Sequence, residues 1–226
     1  MITLADIHRT FRSDEVETTA LRAIDLTIEA GEFVAVMGPS GCGKSTLLNI
    51  VGLIDRPTSG RYLFQDQEVT GLDEAALARI RRDHLGFVFQ SFNLIDELTI
   101  AENVELGLVY RRWAGKERRE RVQAAMDRVG IAHRGRHYPH QLSGGQQQRA
   151  AIARAIVGKP SLILADEPTG NLDTANGEAV MNLLTEASAA GVTVVMVTHS
   201  LVHAAAAQRT IKLLDGRVVV ETLLAA

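Results

Sequence analysis

A mixed α/β fold is predicted, with an apolar sheet core interrupted by a helical insert and bordered by an antiparallel β edge. Three observations predict it. Short apolar runs of strand type recur in both flanks of the chain, and they vanish between about residues 91 and 159. One of them leads straight into a glycine-rich loop with a helix behind it. Several runs are apolar on both faces, which suits parallel strands covered by helices.

Residues 1–30 and 59–70 read as antiparallel strands at one edge, the second group following the Pro57-Thr58-Ser59-Gly60 turn. Gly31-Glu32 is a turn, Phe33–Met37 a buried strand, and Lys44–Val51 the start of a helix. The next strand covers 86–89. In the middle, residues 118–129 carry Val122, Ala125, Met126 and Val129 at helical spacing. Residues 146–157 read as a second helix with Ala150, Ala153, Ile156 and Val157 on one side. Strands resume at 161–165, 192–198 and 210–214. The expectation is one domain over 1–226, with a core from 1–90 and 158–226 and a helical part at 91–157.

Composition narrows the class. Apolar residues make up 46% of the 226 and charged residues 23%, an ordinary water-facing protein with a sizeable core. A net charge of −3 argues against a nucleic-acid partner, which wants a basic face. The single cysteine excludes an internal disulfide and fits a reducing compartment. The N-terminal residues lack the basic start and apolar stretch of a signal peptide. No apolar run approaches the roughly 20 residues of a membrane helix. Any membrane pathway is therefore expected from another polypeptide.

The loop Gly38-Pro39-Ser40-Gly41-Cys42-Gly43-Lys44-Ser45-Thr46 is a phosphate cradle. Glycines let the backbone curl so that N–H groups point at phosphate oxygens, and the helix N-terminus adds a favourable dipole. Lys44 is expected on the β- and γ-phosphates of a nucleoside triphosphate, and the Ser45 hydroxyl on Mg²⁺. Cys42 lies inside the loop, where the helix N-terminus and Lys44 favour a reactive thiolate facing the nucleotide.

A second centre follows the strand at 161–165, which ends in Asp166-Glu167. Two carboxylates are thereby delivered to the carboxyl edge of the sheet, where ligands collect in open α/β folds. Asp166 would hold Mg²⁺ through water. Glu167 would orient and deprotonate the attacking water. A third centre is Leu142-Ser143-Gly144-Gly145-Gln146 at the N-terminus of the helix over 146–157. A serine N-cap with a Gly-Gly turn explains this string structurally, an anion site explains it functionally, and both can hold together.

The two glycine-rich strings in this order resemble the ATPase domain of ABC transporters, a phosphate-loop NTPase fold with a RecA-like mixed-sheet core and a helical subdomain. Further residues carry the resemblance. Gln90 after Gly86-Phe87-Val88-Phe89 matches the glutamine that touches Mg²⁺. His199 after Val195-Met196-Val197-Thr198 matches the switch histidine on the γ-phosphate. Asp173 in Gly170-Asn171-Leu172-Asp173 matches the loop joining two active sites. Phe11 stands where the family usually has a tyrosine stacked on the base; otherwise it is a core residue.

The resemblance implies a homodimer that sandwiches two ATP molecules between the Lys44 loop of one copy and Ser143-Gly144-Gly145-Gln146 of the other. Strings around Asn49, Gln90, Asn103 and Gln147 look like the branch containing MacB, LolD and FtsE. For that branch the resemblance implies a subunit on the cytoplasmic side of the inner membrane, peripheral through an integral-membrane permease. Phe92, Leu94 and Leu98 then either complete the helical core or line a groove for a short permease helix. A soluble ABC ATPase acting on nucleic acid or ribosomes, and a regulatory ATP-binding module without turnover, are the alternatives. Intact Lys44, Asp166, Glu167 and His199 argue against the last.

Overall fold

The computed structural model describes residues 1–12, 17–111 and 113–223. Two sheets and seven α-helices are present among them. The elements run β1 (Ile2–Arg12), β2 (Glu17–Ile28), β3 (Phe33–Met37), α1 (Lys44–Val51), β4 (Ser59–Phe64), β5 (Gln67–Glu68), α2 (Glu74–His84) and β6 (Leu85–Phe89). Then come α3 (Ile100–Glu105), α4 (Gly115–Arg128) and α5 (Gly144–Ile156), with short 3₁₀ turns between them. The chain finishes with β7 (Leu162–Asp166), α6 (Thr174–Ala189), β8 (Thr193–Val197), α7 (Leu201–Ala204), β9 (Arg209–Leu214) and β10 (Arg217–Leu223).

The larger sheet has the order β10-β9-β3-β8-β7-β6. Its pairs from β9 to β6 are parallel, while β10 runs antiparallel to β9, so the sheet is mixed. The smaller sheet, β2-β1-β4-β5, is antiparallel throughout. Side chains alternate across a strand, and here the alternation divides the core in two. Phe33, Ala35, Ile163, Ala165, Val194 and Met196 join one apolar cluster with Ile100, Val122, Ile152 and Val180 of the helices. Val34, Val36, Leu162, Leu164, Val195 and Val197 join the other, with Ile2 and Leu26 of the small sheet and Leu47 of α1. Being buried on both faces is why these strands read as unbroken apolar runs.

Helix α5 departs from the sequence reading. It begins at Gly144 and buries Gly145, Gln148, Ala150, Ala151, Ile152, Ala153 and Ala155, while Ile156 is only half-buried. Small residues let neighbours approach this helix from several sides, so its apolar surface is broader than one stripe. Among the described residues, no helix is long and apolar enough to cross a membrane.

Candidate active site at the carboxyl edge of the large sheet

Register decides where the site lies. Val36 pairs with Val197, Asp166 with Val197, and Phe89 with Asp166. Strands β3, β8, β7 and β6 therefore end level with one another. The loops leaving them carry Gly38–Lys44, His199, Glu167 and Gln90 respectively. One edge thus gathers four of the centres predicted separately.

The loop from β3 is closed by backbone geometry. Gly43 has φ +103°, and a Cβ there would lie 2.5 Å from the Ala20 carbonyl oxygen, so only glycine fits. It is the N-cap of α1, with no side chain capping the helix, so the first N–H groups stay available to an anion. Lys44 Nζ donates to the carbonyls of Gly38 and Pro39, both at 2.8 Å. Ser40, Gly41 and Ser45 are exposed and Thr46 half-buried. Cys42 overturns the expectation of a reactive thiol facing the nucleotide: it is 4% exposed and packed in the apolar cluster below the loop. The curl that turns backbone N–H groups outward turns this side chain inward.

Ser45 Oγ donates to Asp166 Oδ2 at 3.4 Å. Burial pushes the Asp166 carboxyl up, opposed by the Ser45 hydrogen bond, and the Glu167 charge pushes it further. Glu167 follows in the left-handed backbone region, φ +46°, its N–H donating to Val197 O at 3.0 Å. Its Oε2 lies 2.9 Å from His199 Nδ1. A carboxylate only accepts, so Nδ1 carries the proton of this pair. The Glu167 side chain is 17% exposed and that of His199 73%.

Gln90 Nε2 donates to Asn171 Oδ1 at 3.3 Å, and Asn171 Nδ2 returns a bond to Gln90 O at 3.1 Å. Gln90 is thereby tied to the turn after Glu167. Asp173 is the N-cap of α6, accepting from Asn176 N–H at 2.9 Å. Those backbone and side-chain bonds from Asn176 hold its carboxyl below the usual range.

Ser143 caps α5: its hydroxyl accepts from Gln146 N–H at 3.4 Å, and Gln146 Oε1 accepts from Ser143 N–H at 3.1 Å. Such a reciprocal box is what a serine followed by glutamine at the third helical position makes. A Cβ on Gly145 would lie 2.1 Å from Asn176 Oδ1, so α5 seats against the α6 N-terminus only as glycine. Gly144 faces Phe92, Leu172 and Asn171 at 3.6 to 3.8 Å from its ideal Cβ. Ser143 itself is exposed. Phe11 is 44% exposed, so it is not a core residue, and the Arg9 guanidinium stacks 4.3 Å from its ring centre.

Several positioning side chains went unnoticed in the sequence. Gln148, fully buried, donates to the carbonyls of Pro168 at 2.5 Å and Phe89 at 3.3 Å. Its place between Gly145 and Ile152 on one helical face could have revealed it. Arg154 donates to the carbonyls of Phe92 and Asn93, holding the turn after Gln90. Asn171 carried no signal, because loop asparagines are common in turns.

A phosphate-binding loop, a paired carboxylate and histidine, and a capped glycine-rich helix start on this mixed sheet define a nucleotide-hydrolysing cassette. The chain belongs to the ABC transporter family, whose family model matches residues 21–170, and it is an ABC-type ATPase domain. It is 51% identical over 219 residues to the macrolide export ATP-binding/permease protein MacB of Rhodospirillum rubrum, covering 97% of this chain and 34% of that protein. The chain thus spans about a third of the length of the MacB relatives it matches. YvrO of Bacillus subtilis, an uncharacterised ABC transporter ATP-binding protein, is 47% identical over 98% of this chain and 96% of its own length. Among solved structures, a dimeric post-hydrolysis state of the ATP-binding cassette MJ0796 bound to ADP and Pi superposes with TM-score 0.93 at 46% identity, covering both chains fully.

Proposed function

We propose that this chain is the ATP-hydrolysing unit of a MacB-like transport or mechanotransmission assembly, closing on a second copy of itself around two ATP molecules to drive a membrane permease. The observation that carries the reading is the Glu167–His199 contact at 2.9 Å, set on the same sheet edge as the Lys44 loop. In this reading Lys44 and the N–H groups of residues 40–46 bind the β- and γ-phosphates. Phe11 stacks on the base, with Arg9 against its other face. Glu167 accepts the proton of a water whose oxygen attacks the γ-phosphorus as the bond to the β-bridging oxygen breaks. His199 orients the γ-phosphate and returns to Glu167 between turnovers.

The donors near the phosphates suit Mg²⁺. Ser45 and Asp166 present hard oxygens 3.4 Å apart, and the Gln90 side-chain carbonyl would supply a third. Mg²⁺ held there would neutralise charge on the β- and γ-phosphate oxygens. Across the dimer, Ser143, Gly144, Gly145 and Gln146 would meet the partner's γ-phosphate, with Asp173 at the crossing between sites.

For the permease, the sequence singled out Phe92, Leu94 and Leu98. Leu94 packs against the helical core, and Phe92 and Leu98 are half-buried. A second candidate seat lies beside them. A hollow of about 460 Å³, floored by Leu85, Phe87 and Leu106 and flanked by Tyr110, adjoins a second of about 330 Å³ that shares the same floor. A short helix docks in such grooves through a few apolar anchors. The apolar floor and the 80% exposed Tyr110 support placing the permease contact here.

Glu167→Gln tests the chemistry. Phosphate release should fall at least about 100-fold, as expected when a general base is removed. Size-exclusion with Mg-ATP should then show a dimer; wild-type turnover by the variant would remove Glu167 from the reaction. Tyr110→Asp tests the coupling. Co-purification of the membrane partner and its stimulation of turnover should be lost with basal hydrolysis kept, since interface anchors carry most of the binding energy. Normal assembly would place the docking site elsewhere.

A further inference from the structure

Two segments leave the sheet edge side by side, the loop of residues 167–173 after β7 and residues 198–204 after β8, where a short loop runs into α7, and they are cross-linked twice. The outer link is Glu167–His199. The inner link is Thr169 Oγ1 to His203 Nδ1, at 2.8 Å. Thr169 is 8% exposed, and His203 is half-buried. Gly177 of α6 floors the pair, its ideal Cβ position 3.7 Å from Thr169 and 3.9 Å from the His203 ring.

Each half of the inner link is anchored again. The His203 N–H donates to Ser200 Oγ at 3.3 Å, and Ser200 N–H to Thr198 Oγ1 at 3.1 Å, which ties the link to both residues flanking His199. On the other loop, Gln148 holds the Pro168 carbonyl and Leu172 N–H donates to Thr169 O at 3.1 Å. The two links differ in what turnover asks of them. The outer one joins groups that must address water and phosphate, so it has to open during the reaction. The inner one joins groups with no chemical task and is partly buried, on its Thr169 side most of all, where a hydrogen bond is electrostatically stronger.

We infer that His203 is a positioning residue: through Thr169 it holds the loop carrying Glu167 at a fixed spacing from the loop carrying His199 while the outer contact opens. The inference rests on the reading of Glu167 and His199 as the hydrolytic pair.

The test compares His203→Leu, Thr169→Val and His203→Gln in steady-state hydrolysis of Mg-ATP. The first two remove the hydrogen bond with little change in volume. Both should lower kcat about tenfold, in the range that small misplacements of reacting groups produce, with KM for ATP unchanged. The His203→Gln amide can again bond Thr169 and should recover most of kcat. The double variant His203→Leu/Thr169→Val should be no slower than the slower single one, as expected when both substitutions break one contact. Should His203→Leu fail to fold, Thr169→Val and His203→Gln carry the comparison. Unchanged kcat in Thr169→Val, or a His203→Gln as slow as His203→Leu, overturns the inference. Glu167→Gln run alongside separates the two claims: full turnover there sinks the parent reading, whereas its loss with normal Thr169→Val turnover sinks only the role of His203.

Discussion

The chain has two glycine-rich helix starts, and they are built in opposite ways. At α1 the N-cap is Gly43, no side chain caps the helix, and the loop is walled by Ala20 and by the apolar cluster that swallows Cys42. At α5 the cap is Ser143, exposed, with a complete reciprocal box through Gln146. The first leaves its N–H groups unspent and its shape fixed from below. The second already satisfies two of its donors internally. A hydroxyl can accept from one group while donating to another, so Ser143 can keep its cap and still offer its O–H to a phosphate oxygen. The lesson is a division of labour. In the function proposed above, the Lys44 loop is a receptor formed in advance, while the Ser143 end is a stable surface that gains a ligand only when one is brought to it.

The sharpest way to break this contrast is Ser143→Arg. A bulky cation there should leave labelled ATP bound at the Lys44 loop while dimerisation fails and phosphate release drops at least about 100-fold, the scale of losing a catalytic contribution. Loss of ATP binding by the folded variant would mean that both helix starts serve one nucleotide in one chain. Next comes thiol accessibility. Cys42 should react slowly with maleimide whether or not ATP is present, because its sulfur is buried. A cysteine at the other start, Ser143→Cys in a Cys42→Ala background, should react quickly and be protected by Mg-ATP. Rapid ATP-sensitive labelling of Cys42 itself would show that the loop opens.

The smallest effect concerns two carboxylates, one beside each start. Burial raises Asp166, whereas bonds from Asn176 lower Asp173. A raised carboxyl binds its proton better folded than unfolded, so its favourable contribution is present at low pH and is lost as pH rises through the folded pKa. Without nucleotide or Mg²⁺, Asp166→Asn should therefore melt higher than wild type at neutral pH, with the gap closing below the ordinary carboxylate range. Asp173→Ala should do the reverse at neutral pH, its penalty fading as pH falls through the lowered pKa. Thermal melts across pH would check both, and equal behaviour would remove the electrostatic difference between the two ends.

The parallel strands were legible because burial on both faces leaves an uninterrupted apolar run, as in Phe33–Met37, and α1 was legible from the loop before it. Helix α2 was not, since Leu77 is its one fully buried residue and its other faces carry charge. Strand β10 hid because its register slips between Val218 and Val220, breaking the period of two. At the site, residue types and spacing pointed to Lys44 and Glu167, and the family resemblance to His199, but side-chain direction was invisible. Cys42 lies between Gly41 and Gly43, both at positive φ, and the backbone path they set decides which way its sulfur points. Thr169 and His203 are 34 residues apart, and nothing local in the sequence pairs them.

Glu167 occupies a backbone conformation that suits glycine better than itself. A residue with a Cβ in the left-handed region is disfavoured by about 1 kcal/mol or more. Protein stability taken alone would therefore exchange this side chain for none, and any search for more heat-resistant variants would be drawn to Glu167→Gly. Under the proposed mechanism such a variant would keep its fold and its grip on nucleotide and lose the proton acceptor. The position is a local contest between what folds best and what turns over, and the tight bend that makes glutamate uncomfortable is the same bend that carries its carboxylate to His199.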